Sequence, residues 1–226
     1  MIKITPRAEI TNEFQEAIRT AYRDYLLREK EHAEMDPRGA THYLKLRAPG
    51  HVHALSVLKT NHSDSRCGME YEITLLRALP FTRFAVVDHD GTYLAGITRP
   101  IDMKDPDGGR MYHLGPYAVY APISALTEGR TDGFHFIPTV YPQSNKRHPH
   151  HKVDSDDHDT HPLEKRAYTC WGEFGGPVSG LVDTINIPEL FRHLYLYVSR
   201  YNPHSPLVRS GIRGLDFLDR IEVEAA

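Results

Sequence analysis

Cys170 is the residue whose type and surroundings best suit covalent chemistry. It stands in the segment 169–176 (TCWGEFGG), after a polar stretch and before a glycine-rich one, rather than within the apolar run typical of a core cysteine. A thiolate is a strong nucleophile and a good leaving group, so a cysteine on such a loop is suited to acyl transfer. The only other cysteine is Cys67, and two cysteines in 226 residues do not make a disulfide scaffold.

A run rich in histidine and aspartate precedes this cysteine. Residues 148–161 (HPHHKVDSDDHDTH) hold five of the chain's 15 histidines. Imidazole and carboxylate groups bind zinc, so a metal-dependent hydrolase is one interpretation of the run. Its candidate metal ligands are His148, His150, His158 and His161. The spacing matches no helix-borne HExxH pattern, and a solvated loop without metal is the simpler interpretation.

Four motifs follow one another in a set order in the C-terminal half. His148-Pro149-His150 precedes Cys170-Trp171-Gly172, a helical pattern over 187–201 follows, and Asn202-Pro203-His204-Ser205-Pro206-Leu207 comes last. This order resembles that of ubiquitin-conjugating enzymes, which carry a His-Pro-Asn motif, the active-site cysteine, and a helix ending in an Asn-Pro-x-x-Pro-Leu turn. Bacterial relatives often have His-Pro-His instead. The resemblance covers residues 110–210.

The resemblance implies a carrier of a ubiquitin-like protein. A ubiquitin-activating-type enzyme would pass the modifier's C-terminal carboxyl to Cys170 as a thioester, and an amine or hydroxyl of a target would then accept it. No cofactor is implied. Trp171 would either shield the thioester from water or pack against the following helix. A non-catalytic scaffold with the same fold is a further alternative.

The resemblance also implies a hydrogen-bond donor for the oxyanion of the tetrahedral intermediate. His150 takes the place of the family's asparagine. Further candidates are His148, His151 and His161. His150 lies 20 positions before Cys170 (170 − 150), more than the family usually has, and an insertion over 152–160 would explain the difference. His161-Pro162 is a second His-Pro pair nearer the cysteine, so two assignments of the motif stay open.

Glycines follow the cysteine at positions 172, 175 and 176. They predict a groove for an extended C-terminal tail or, equally, a plain flexible loop.

Helical spacing of apolar residues predicts three helices. The first covers 14–26, with Asn12 and Gln15 as a capping box and a solvated charged end at 28–32. The second covers 68–79, with Tyr71, Leu75, Leu76 and Leu79 on one side. The third covers 187–201, with Asn186 and Glu189 as its N-terminal box. Its apolar face is Leu190, Leu194, Tyr197, Val198 and Tyr201.

Apolar runs predict the strands. Two short ones are expected at 42–46 and 53–58, and a hairpin at 81–87 and 93–97 around an Asp-Gly turn. Two more are expected at 112–122 and 134–140, joined by a hairpin loop at 128–133, and residues 141–169 are expected to be irregular.

These elements predict an α+β fold. Residues 1–105 are expected to form an N-terminal α/β region of unknown role, and residues 106–226 a domain like that of ubiquitin-conjugating enzymes, an antiparallel sheet with flanking helices. The net charge of −3 and the lack of a basic block argue against a nucleic-acid partner. The absence of a run of about 20 apolar residues argues against a membrane partner, and we expect a cytoplasmic protein.

Overall fold

A five-stranded, mostly antiparallel sheet with helices packed on it makes the protein a mixed α+β structure. The computed structural model describes residues 7–35, 40–58, 68–104, 111–139, 151–153, 167–169 and 171–200. The helices are α1 (Asn12–Met35), α2 (Ala40–Leu58), α3 (Met69–Ala78), α4 (Ile123–Glu128), α5 (Gly175–Asp183) and α6 (Ile187–Ser199), with a short 3-10 helix at Gly172–Phe174. The strands are β1 (Glu9–Ile10), β2 (Phe81–His89), β3 (Gly91–Thr98), β4 (Ile101–Lys104), β5 (Met111–Gly115), β6 (Tyr117–Pro122), β7 (His135–Pro138), β8 (His151–Val153) and β9 (Ala167–Thr169).

The main sheet has the order β1-β2-β3-β6-β7. Only β1 and β2 are parallel, and the other neighbours are antiparallel. The β2–β3 hairpin predicted around Gly91 is confirmed, with His89 opposite Gly91. Strands from both sides of residue 105 share this sheet, with β1, β2 and β3 before it and β6 and β7 after it. The boundary predicted at 105–106 itself lies outside the described residues.

Aromatic side chains join α1 and α6 to the sheet. Phe14 of α1 lies 5.2 Å from Phe84 of β2, and Phe84 lies 5.2 Å from Phe191 of α6, measured between ring centroids. A Cβ at Gly96 would come within 2.8 Å of the Phe81 ring, so β3 needs a glycine where this cluster crosses it. All four rings are fully buried, and burial of this kind stabilises a fold by about 2–3 kcal/mol per large side chain.

The helix predicted at 14–26 is confirmed but longer. Its cap is Thr11, whose Oγ1 accepts a hydrogen bond from the Phe14 N–H at 3.2 Å, rather than the predicted Asn12 box. The charged end predicted at 28–32 is solvated as expected except at Glu29, which is buried, and α1 continues beyond it to Met35.

The strands predicted at 42–46 and 53–58 are wrong, because both segments lie in α2. The buried residues Gly50, Ala54 and Val57 recur at helical spacing, four and three apart, and this repeat decides the structure despite Pro49 within the helix.

The helix predicted at 68–79 is confirmed as α3, with a different buried face. That face is Met69, Glu72, Ile73 and Leu76. Tyr71 and Leu75 are more than one third exposed, so their predicted place on the packed side is wrong.

The region from 112 onward departs from prediction in three places. The strand expected at 112–122 is divided into β5 and β6 at Gly115, whose φ is +73°. The connection from β6 to β7 begins with α4 rather than forming a hairpin loop, although the two strands pair as expected. The stretch expected to be irregular contains β8 and β9, which pair with each other.

Helix α6 confirms its prediction. Asn186 is the N-cap, its Oδ1 accepting from the Glu189 N–H at 3.2 Å, and Pro188 lies in the first turn. Leu190, Leu194, Tyr197 and Val198 are buried as expected. Tyr201 lies outside the described residues.

The turn between α5 and α6 is held by α1 and α2. Tyr25 of α1 donates its hydroxyl proton to the Asp183 carbonyl at 3.1 Å. Ile185 in this turn is buried with a φ of +46°, which is strained for a β-branched residue. Gly50 of α2 packs so closely that a Cβ there would lie 2.8 Å from the Thr184 Cα. The start of α6 therefore depends on a tight backbone contact.

Candidate functional site

The residue after the cysteine packs against the core. Cys170 itself lies outside the described residues, but Trp171 is described and half-buried. Its indole lies 5.5 Å from the Phe134 ring and 5.2 Å from the Tyr197 ring. Its Nε1–H donates to the Thr131 carbonyl at 2.9 Å. Trp171 thus packs on α6, as one of its two predicted roles required, and also on the segment leading into β7.

The loop that accepts the Trp171 hydrogen bond is built around one arginine. Arg130 Nε lies 2.7 Å from Glu128 Oε2, and Arg130 Nη1 lies 2.9 Å from Asp132 Oδ2. Arg28 of α1 reaches the other Glu128 oxygen at 2.9 Å. Thr131 lies between the two acidic residues, so these ion pairs hold the backbone that carries its carbonyl.

The short antiparallel pair β8–β9 joins a segment within the His/Asp-rich run to a segment that follows the run. His151 is opposite Thr169, and Val153 is opposite Ala167. His150 is the residue before this pair and Cys170 is the residue after it. The pairing therefore brings together two chain segments that are far apart in sequence.

Most predicted site residues belong to parts of the chain without described placement. Cys170, His148, His150, His158 and His161 lie outside the described residues. For His151 the backbone is described, as the first residue of β8. Within the described residues, no group of three or more His, Cys, Asp or Glu side chains could hold a metal ion.

The glycines after Cys170 do not form a continuous loop. Gly172 begins the 3-10 helix with a φ of +50°, and a Cβ there would meet nothing within 4 Å. Gly175 and Gly176 lie in the first turn of α5, so the flexible loop expected there is wrong. Gly172 alone supplies the backbone freedom that the sequence suggested.

A buried polar cluster lies between the first three helices, and the sequence pattern did not reveal it. Tyr22 of α1 donates its hydroxyl proton to Glu72 Oε2 of α3 at 2.8 Å. His53 Nε2 of α2 lies 3.5 Å from Glu72 Oε1 and 3.3 Å from the Tyr22 hydroxyl oxygen. A correct assignment of the buried face of α3 would have placed Glu72 in the core.

Burial sets the protonation of this cluster. It raises the pKa of Glu72 from 4.5 to about 7 and lowers the pKa of His53 below 6.5. Burial, with the nearby Glu72 charge, also raises the pKa of Tyr22 well above 10. Because its pKa is raised, Glu72 contributes stability that is fully present below pH 4.5 and is lost as the pH rises through about 7. The lowered pKa of His53 acts in the opposite direction below pH 6.5, so the net loss of stability is expected as the pH rises from 6.5 through 7.

Among the described residues, no helix combines the length and the apolar character needed to cross a bilayer. Comparison with protein-family models, with curated proteins and with solved structures finds no match to this chain.

Proposed function

We propose that this protein is a cytoplasmic carrier like the ubiquitin-conjugating enzymes, which holds a ubiquitin-like protein as a thioester on Cys170. The observation that carries the proposal is the β8–β9 pairing. It supplies a reason why the His-Pro-His motif and the cysteine stand farther apart in sequence than in the family, because the extra residues connect two paired strands.

Covalent geometry limits the separation of the two proposed site residues. Neighbouring Cα atoms are about 3.8 Å apart, and opposite residues of an antiparallel pair are about 4.5–5.5 Å apart. His150 and Cys170 each stand one residue from the paired positions His151 and Thr169. The proposal therefore places their Cα atoms within about 13 Å of each other. This limit supports His148-Pro149-His150 as the motif, since His161-Pro162 belongs to the connection between the strands.

The contacts of Trp171 support the assignment of Cys170 as the carrier residue. A carrier cysteine must present its thiol to two large partners in turn, first the activating enzyme and then the acceptor. The neighbouring Trp171 is packed against α6 and tied to a backbone carbonyl. Functional loops held by a rigid scaffold have this arrangement.

The proposed chemistry is two successive acyl transfers. The Cys170 thiolate attacks the thioester carbonyl on the activating enzyme and expels that enzyme's thiolate, which takes up a proton. An acceptor amine then attacks the Cys170 thioester, and Cys170 leaves as the thiolate while the amine loses a proton. A ring N–H of His150 would donate to the oxyanion in each step, and loss of such a donor costs about 3–4 kcal/mol.

The test is adduct formation with an activating-type enzyme, ATP and the cognate ubiquitin-like protein. The wild type should give an adduct that reductant cleaves, and Cys67→Ser should behave alike. Cys170→Ser should give either no adduct or an ester that resists reductant. A reductant-cleaved adduct in Cys170→Ser would refute the proposal.

Two other outcomes would replace this function with the alternatives raised by the sequence. Hydrolase activity that survives in Cys170→Ala, with stoichiometric zinc by elemental analysis, would indicate the metal-dependent hydrolase. The absence of both adduct and metal, with every cognate component present, would indicate the non-catalytic scaffold.

A further inference from the structure

The contacts of Trp171 fall into two kinds with different consequences. Its ring packs on Phe134, Phe136 and Tyr197, and such packing tolerates sliding and rotation. Its hydrogen bond to the Thr131 carbonyl has a single direction and a length of 2.9 Å. The hydrogen bond therefore fixes the orientation of the indole, whereas the ring contacts fix its burial.

The backbone next to Trp171, on the side away from the cysteine, is only weakly restrained by its own residue type. Gly172 follows directly, with a φ of +50° and open space where a Cβ would be. Glycine restrains its backbone less than any other residue. Two directed hydrogen bonds therefore hold Trp171: the indole N–H donates to the Thr131 carbonyl, and the Trp171 carbonyl accepts from the Phe174 N–H at 2.9 Å within the 3-10 helix. Of the two, only the indole bond ties Trp171 to a distant part of the chain.

We propose that Trp171 is a positioning residue, which orients Cys170 for thioester transfer through its hydrogen bond to the loop centred on Arg130. This inference rests on the function proposed above. A misplacement of about 1 Å between reacting groups can slow a reaction by about a hundredfold. Loss of a hydrogen bond made by the residue next to the nucleophile should therefore change the transfer rate measurably. Arg130 acts one step farther away, because its ion pairs hold the loop that carries the Thr131 carbonyl.

The test compares two reactions of the same thiol in a Cys67→Ser background. Trp171→Phe keeps an aromatic ring between β7 and α6 and removes the N–H donor. Transfer of the modifier from the activating enzyme should slow by about tenfold. Alkylation of Cys170 by iodoacetamide should keep its rate, because a small reagent needs no fixed approach and the indole carries no charge that would change the thiolate fraction.

Two matched controls separate positioning from stability. Phe174→Leu removes a ring contact with Tyr197, 5.6 Å between centroids, from the same stretch and leaves the tether intact, so the transfer rate should stay within twofold of wild type. Arg130→Ala should slow transfer in the same direction as Trp171→Phe. Arg192→Ala removes an equal charge from an exposed ion pair with Glu189 on α6 and should leave transfer unchanged.

The outcomes distinguish this inference from the function on which it rests. If the wild type forms no adduct, the proposed function fails. If the wild type forms it and Trp171→Phe transfers at the same rate, only the positioning role is refuted. A parallel fall in transfer and alkylation, or a fall that tracks the unfolded fraction at the assay temperature, would assign Trp171 a purely structural role and also refute it.

Discussion

Substituting alanine for Gly50 tests the tight contact between α2 and the turn before α6. The added Cβ would lie 2.8 Å from the Thr184 Cα, 3.0 Å from its carbonyl carbon and 2.5 Å from the Tyr25 hydroxyl oxygen. Two of these atoms belong to the backbone, so rotation of a side chain does not relieve the contact. Either α2 or the turn must shift, and the Tyr25 hydrogen bond to Asp183 must lengthen.

Three contributions decide the change in the free energy of unfolding. Overpacking in a well-packed core costs about 1–3 kcal/mol. Loss of the hydrogen bond to Asp183 costs about 0.5–1.5 kcal/mol. Replacing glycine by alanine within a helix stabilises the helix by about 1 kcal/mol. The overpacking decides the sign, and we expect Gly50→Ala to destabilise the protein by about 2 kcal/mol, which lowers the melting temperature by about 4–8 °C for a chain of this size.

Thermal and urea unfolding measure this change, and Gly180→Ala is the matched control. Gly180 also lies within a helix, α5, but a Cβ there would meet nothing within 4 Å. Only the helix propensity then changes, so Gly180→Ala should stabilise the protein by up to about 1 kcal/mol. A Gly50→Ala protein as stable as wild type would mean that α2 does not approach the turn as closely as described.

The remaining predictions concern the buried cluster and the proposed site. Between pH 6.5 and 8 the wild type should lose on the order of 1 kcal/mol of stability as Glu72 ionises, whereas Glu72→Gln should lose none; urea unfolding at both pH values measures this, and an equal loss in both proteins would contradict the assignment. Replacing residues 154–166 by Asn-Gly should preserve adduct formation, because the pair Val153–Ala167 suits a two-residue turn. Loss of the adduct in a folded shortened protein would indicate that His161 or the acidic stretch takes part.

The sequence predicted the elements whose signals are local. Helix α6 has its cap, its first-turn proline and its apolar stripe within a short stretch, and each proved correct. The β2–β3 hairpin has a turn signal between two apolar runs, and it was predicted correctly for the same reason. These features need no information from distant residues.

The errors arose where distant contacts decide the structure. Segment 53–58 is short and apolar, and such a run does not distinguish a strand from a helix until its buried neighbours are known. Gly50 and Ala54 are buried because α2 packs on other helices, and this packing makes the segment helical. Likewise, the buried face of α3 is set by the Tyr22 hydroxyl, which gives Glu72 a partner inside the core.

At the candidate site, one part was predicted from local residues and another part depends on distant contacts. The residues around Cys170 were enough to indicate a functional thiol. The sequence left two His-Pro pairs open as its partner, and separation along the chain favoured the nearer one. The function proposed above favours the farther pair, since the pairing of β8 with β9 makes His151 and Thr169 neighbours across a ladder and His161-Pro162 belongs to the connection. Under the proposed function, the register of β8 and β9 is therefore a better guide to the partner of Cys170 than the number of intervening residues.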